Sequence, residues 1–394
     1  MIVNHDTRID RRRLLAGSAL FGAGTLAAPR MTFARAPGEK NLLFVLLRGA
    51  ADGLALLAPV GDPALPGLRR AAMAEYESAQ RADGFFAIHP ALSEVGKAFT
   101  AGDALFVHAT ATAYRERSHF DGQNLLETGA QVPYGVKDGW LNRLVAMTPT
   151  KAGGMPPKAL AIAPTIPLAL QGKAPASSYA PSALPDASDD LIERVSRLYA
   201  DDTQLSGLWN QALETRAMAS DDTLRNLRDA KAAGELTASL MRGEARARIA
   251  MIELDGWDTH ANQRGRFPRQ ARQLDTLLGA YRIAMGDAWK STMVLVATEF
   301  GRTARFNGTN GTDHGTAGVA LVLGGAIRGG KVIADWPGLG ENQLHEGRDL
   351  RPTIALESVL AGAAAEHLGV DPQDAMRRLF PGRETAALSG FVRT

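Results

Sequence analysis

The sequence predicts an α/β fold: a doubly wound, mostly parallel sheet with flanking helices. Three observations point there. Short apolar runs without polar alternation, such as Asn41–Leu47 (NLLFVLL) and 292–297 (TMVLVA), read as strands covered on both faces. Helical stretches separate those runs, which is the pattern of a parallel sheet. Acidic residues, histidines and glycines follow the runs directly. They would therefore emerge at one edge of the sheet, where open α/β sheets bind ligands.

In chain order, residues 1–36 read as a twin-arginine signal peptide. Arg11 and Arg12 form the pair, a weakly apolar stretch covers 14–28, and Ala34-Arg35-Ala36 is a small-x-small cleavage signal. That stretch is too short and too glycine-rich for a stable membrane anchor. The expected partner is the twin-arginine translocase, and the expected destination of the folded protein is the periplasm or the medium. Residues 37–394 then form one α/β domain. The first strand, 41–47, runs into a small-residue loop holding Asp52. A helix over 91–101 and a strand over 104–109 follow. Ser118-His119-Phe120-Asp121 resembles a capping box, so a helix starts there and ends at Gly129.

Residues 159–163 read as a strand, 164–185 as an irregular excursion, and 186–245 as a helical insertion or cap. A strand over 247–254 ends in Asp255, Asp258 and His260. The helix over 270–290 sets Leu274, Leu277, Leu278, Tyr281 and Met285 on one face. The strand at 292–297 ends in Glu299 and Arg302. A Gly- and Asn-rich loop carries Asp313-His314 into a strand at 319–323, and helices over 353–368 and 371–379 close the chain.

The 394 residues are 45% hydrophobic, enough for a large core. The net charge of +2 comes from the leader, where six basic residues face two acidic ones; the remainder is slightly negative. That excludes the basic face a nucleic-acid partner requires. The chain has no cysteine, which excludes disulfides, thiolate metal sites and a cysteine nucleophile.

Five clusters could carry chemistry: Asp52; Ser118-His119; Asp255, Asp258 and His260; Glu299 and Arg302; Asp313-His314. Gathered at one point, such groups repel or desolvate one another unless a cation holds them. Mixed carboxylate and imidazole donors suit one or two divalent ions, Zn²⁺ or Mn²⁺ rather than Ca²⁺. Asp258 and His260, two residues apart, point the same way if their segment is extended. Three of the clusters also have a plainer reading: Asp52 as a turn residue, Ser118 as a helix cap with His119 a packed surface residue, and Glu299 as the ion-pair partner of Arg302. His89, His108, His345 and His367 read as structural.

The order of these motifs resembles the alkaline phosphatase-like superfamily, which includes sulfatases and metal-dependent phosphoglycerate mutases. The blocks RGAADG, SHFDGQ, DGWDTH, EFGRT and DHGTAG also resemble a bacterial, twin-arginine-exported, sulfatase-like family that carries only a domain-of-unknown-function label. The resemblance implies an alkaline phosphatase-like core and a metal-dependent hydrolase acting on a small phosphate or related ester. It implies metal ligands among Asp52, Asp258, His260, Glu299 and His314, with Asp255 and Asp313 as further candidates. Counting back from Leu125-Leu126 puts Ser118 at the nucleophile position; counting back from Thr128-Gly129 puts His119 there. Arg48, Arg115, Arg117 or Arg302 would orient the anion. Without cysteine a formylglycine sulfatase is not expected. The alternative is a non-catalytic exported binding or assembly protein, with the helical region 189–241 as its partner surface.

Overall fold

The computed structural model describes residues 40–149, 158–180, 189–202, 205–210, 213, 229–242 and 247–393. The expected signal peptide and parts of 186–245 lie outside the described residues. The strands are β1 (Asn41–Leu47), β2 (Leu57–Ala58), β3 (Ala87–Ile88), β4 (Ala104–Ala111), β5 (Ala159–Ile162), β6 (Ala176–Tyr179), β7 (Ile249–Leu254), β8 (Thr292–Thr298), β9 (Gly318–Leu323), β10 (Lys331–Ile333) and β11 (Ile354–Ala355). The helices are α1 (Gly53–Leu56), α2 (Leu65–Arg69), α3 (Ser93–Thr100), α4 (His119–Thr128), α5 (Trp140–Met147), α6 (Asp189–Tyr199), α7 (Ala230–Arg242), α8 (Gln263–Met285), α9 (Leu356–Leu368) and α10 (Pro372–Leu379).

A nine-stranded sheet runs in the order β10-β4-β9-β8-β1-β7-β5-β6, with β11 alongside β4. β1 lies parallel to both β7 and β8, and β5 lies parallel to β7 and β6. β9 is antiparallel to both neighbours, β8 and β4. The fold is thus the expected α/β, mostly parallel sheet. The antiparallel β9 matters for function, because the chain enters it at the edge where β8 and β4 leave.

The unalternating apolar strands are explained by burial on two faces. Leu43, Val45 and Leu47 of β1 pack with Val95 of α3, Leu236 and Met241 of α7, and Leu274 of α8. Leu42, Phe44 and Leu46 face the other way, onto Trp140 of α5, Val359 of α9 and Met376 of α10. Phe44 meets Trp140 edge-on, with ring centroids 5.2 Å apart. The part of 186–245 that forms α7 belongs to this core layer: Ala233, Leu236, Leu240 and Met241 are buried. Gly234 sits so close to α8 that a Cβ there would lie 2.4 Å from the Leu277 carbonyl oxygen. None of the described helices is long and apolar enough to cross a membrane.

His108, fully buried on β4, has a defined tautomer. Nε2 donates to the Leu57 carbonyl at 3.0 Å and Nδ1 accepts from the Ala109 N–H at 2.7 Å. Burial lowers its pKa to about 4, beyond what the Leu57 carbonyl restores. An unfolded histidine titrates near ~6.5. Between those values the unfolded chain binds a proton that the folded chain refuses. Stability from this group should therefore fall by about 3 kcal/mol as pH drops through that window. His367, held down to about 3 mainly by burial, acts in the same direction. Thermal melts at about pH 7 and about pH 4.5 check this. The acid Tm should be lower, with a smaller drop in His108→Gln; a flat wild-type profile contradicts it.

Candidate metal centre

Four segments deliver side chains to one edge of the sheet. The loop after β4 ends in His119, the first residue of α4. β7 runs out into Asp258 and His260, and β8 into Glu299 and Arg302. The turn before β9 carries Asp313 and His314. Because β9 is antiparallel, a residue preceding it lies beside residues that follow the other strands. Gly49, at φ +110°, lets the end of β1 press on this edge: a Cβ there would lie 2.6 Å from the Asp258 nitrogen.

The side chains converge. His314 Nε2 lies 2.9 Å from His260 Nε2 and 3.3 Å from Asp258 Oδ1. His260 Nε2 lies 3.0 Å from the same oxygen, and His119 Nε2 lies 3.5 Å from Asp258 Oδ2. His119, Asp258 and His314 each present a ligand atom within 4.8 Å of the others. The far nitrogen of every imidazole meets an oxygen: His119 Nδ1 meets Glu299 Oε1 at 2.9 Å, His260 Nδ1 meets Asp313 Oδ1 at 3.1 Å, and His314 Nδ1 meets the Arg117 carbonyl at 2.8 Å. Those acceptors assign the proton to Nδ1 and leave Nε2 as a lone pair. Two imidazole lone pairs 2.9 Å apart repel each other; a shared cation or proton would relieve that repulsion. The buried Nε2 of His119 has no hydrogen-bond partner.

Behind this inner set lies a second layer. Glu299 is fully buried and accepts from His119, from Gln123 Nε2 at 2.9 Å, from the Gly49 N–H at 2.9 Å and from Thr298 Oγ1 at 2.8 Å. Burial raises its pKa, but the donors outweigh burial and hold the carboxyl below its ordinary range. The same contact, chiefly the hydrogen bond to Glu299, raises the pKa of His119. Burial lowers that of His314. Burial also pushes Asp258 up, yet Arg302, followed by His260 and His119, brings it down overall. Phe300 stacks on His119 at 5.1 Å and touches His314 at 5.2 Å, fixing both ring planes.

Several residues expected from the sequence as ligands or catalysts have other places. Asp52 lies outside the cluster. It is buried, caps α1 by accepting from the Leu54 N–H, and pairs with Arg69 and Gln263. Its charge is met by a guanidinium, so this carboxylate holds the fold. Asp255 is exposed and stands outside the inner set. Glu299 and Asp313 orient histidines and do not face the common point. Arg302 is buried beneath Asp258, donating to Oδ1 at 2.7 Å and to Thr312, so it is not free to meet a substrate. Ser118 is the N-cap of α4 but makes no side-chain capping bond; its N–H donates to Tyr114 Oη. The neighbouring His119 is the residue of this turn that reaches the cluster.

Of the arginines expected to orient an anion, Arg48 is spent on Glu127, Glu253 and Gln123, and Arg117 on Asp349 and Glu346. Sequence reasoning missed Gln123, Phe300, Asn307, which steadies Asp313, and Gln263. Gln123 could have been found: it lies four residues after His119, one helical turn on and on the same side. Gln263 links Asp52 to Thr312, and Thr312 holds Arg302, so a buried polar chain runs from α1 to Asp258.

Glu299→Gln keeps the shape but removes the charge behind His119. Outer partners of this kind contribute about 10–100-fold to metal affinity. Zn²⁺ affinity measured by chelator competition should fall by that factor, and an unchanged affinity would show that Glu299 does not tune His119.

No curated protein matches the chain. Solved structures resemble it at low identity. A sulfatase from Pseudoalteromonas sp. is 12% identical at a TM-score of 0.37, covering 91% of this chain and 74% of that one. Alkaline phosphatase from the Antarctic bacterium TAB5 is 10% identical at 0.36, covering 76% and 95%. Murine ectonucleotide pyrophosphatase/phosphodiesterase 5 is 11% identical at 0.32, covering 67% and 57%. The sequence-level relationship is of another order, spanning residues 39–380: the chain belongs to the family described as "Protein of unknown function (DUF1501)".

Proposed function

We propose that this protein is a metal-dependent hydrolase of a small phosphate or related ester, exported in folded form by the twin-arginine route to the periplasm or the medium. The observation that carries the reading is the arrangement of three imidazoles, each tied at Nδ1 to an oxygen, with Nε2 turned toward Asp258. The donor set fits a divalent ion. Its nitrogen-rich character favours Zn²⁺ over Mn²⁺. His119, Asp258 and His314 would hold one ion, with His260 as a fourth ligand. A metal bound there would supply Lewis-acid polarisation of an ester oxygen.

The chain's own residues supply the remainder. Glu299, Asp313 and the Arg117 carbonyl hold the imidazoles in the ligating tautomer. Arg302 keeps Asp258 ionised and aimed. Ser118 is the proposed nucleophile. Its hydroxyl is uncommitted to capping, and it sits at the start of α4, where N–H groups favour an anion.

Elemental analysis of the purified protein, with turnover of aryl phosphate, phosphodiester and sulfate ester panels, tests this. Stoichiometric metal, metal-dependent turnover and its loss in Ser118→Ala support the reading. Protein with neither metal nor turnover ends it, and full activity in Ser118→Ala removes the serine from the mechanism.

The burial of Asp52 outside the cluster, and of Arg302 beneath Asp258, favours a second reading, an exported binding or assembly protein on a hydrolase-like scaffold. A cellular phenotype that survives Ser118→Ala and His260→Ala but not substitution of the exposed Leu191 and Leu198 of α6 would select it.

A further inference from the structure

A cavity of about 210 Å³ opens between the β4–α4 loop and the start of α9. Its walls include Thr112, Arg115, Thr353, Glu357, Arg383 and Thr385. None of these residues belongs to the candidate metal centre.

The charges in this cavity do not balance. Glu357, nearly fully buried in the first turn of α9, pairs with Arg383 at 3.2 Å. Arg115 is a second cation in the same wall. It gives Nη1 to the carbonyls of Thr112 and Tyr114 and makes no ion pair among the described residues. Half-buried cations are costly unless paired. Burial lowers the Arg115 pKa; Glu357 acts against that, while Arg117 and Arg383 add to it. The cavity thus carries one net positive charge, on a guanidinium whose Nε and Nη2 make no hydrogen bond among the described residues. A small oxyanion accepting from Arg115 supplies the missing negative charge.

We propose that this cavity is a binding site for a small oxyanion, the carboxylate, sulfate or phosphate group of a metabolite. The loop forming its wall continues to the Arg117 carbonyl and His119, so an occupant would also brace the strand-to-helix connection that builds the metal centre. The proposal does not rest on the hydrolase reading.

Isothermal titration of the purified full chain with inorganic sulfate, inorganic phosphate and acetate tests it. One saturable site is expected in wild type. Affinity should fall about tenfold or more in Arg115→Gln, which removes a charged donor, and by a smaller factor in Arg115→Lys, which keeps the charge but loses the planar fork. His119→Ala should bind as wild type does. Should Arg115→Gln fold poorly, Arg115→Lys carries the test. Absence of saturable binding overturns the proposal. So does binding that neither cavity variant weakens, or binding lost in His119→Ala, which would locate the anion at the metal centre.

Discussion

His119→Ala should lose stoichiometric Zn²⁺, with affinity falling by more than the about 10–100-fold expected from losing an outer partner. The side chain is one of three groups whose ligand atoms lie within 4.8 Å of one another. It is also the one whose second nitrogen is anchored on a fully buried carboxylate. Alanine leaves Glu299 with its Gln123, Gly49 and Thr298 donors, so the fold should survive while the centre loses a ligand. Elemental analysis and chelator competition on the two proteins measure the loss. Wild type that binds no Zn²⁺, or a variant that binds it equally well, would sink the metal centre.

Arg69→Met should destabilise the fold by about 3–5 kcal/mol, the usual consequence of stranding a buried charge. Arg69 and Asp52 are 3% and 1% exposed. The guanidinium meets the carboxylate and donates to the Ala304 carbonyl at 2.8 Å and the Thr303 carbonyl at 2.7 Å. Methionine fills the space but leaves Asp52 ionised with only Gln263 and the Leu54 N–H, and leaves two carbonyls unmet. Pairing Arg69→Met with Asp52→Asn should cost less than the sum of the two single changes, because the stranded charge is gone. Denaturant midpoints measure both effects. A loss under about 1 kcal/mol for the single variant would show the pair to be solvated.

A sequence reports what is local. The covered strands were legible because runs such as NLLFVLL lack alternation, and that follows from burial on both faces. The helix after Ser118 was legible through Gly129, which ends it at φ +68°. Asp258, His260 and His314 were legible as candidates because each lies in a loop within a few residues of a strand. Which charged groups face one another is not local. Asp52 and Glu299 both follow strands and look alike in sequence. One meets Arg69 and the other meets His119, 180 residues away. Similarly, Arg302 reads as a free cation three residues after Glu299, yet packing turns it under Asp258.

The order of strands and loops by itself placed Asp258, His260 and Glu299 at the edge where the parallel strands end, whereas the antiparallel direction of β9, which brings Asp313 and His314 to that edge, was decided by the tertiary structure. Only the tertiary structure decided which of those groups face a common point and which stand behind as supports. A carboxylate's role depends on whether its nearest buried neighbour is a guanidinium or an imidazole, and long-range packing sets that neighbour.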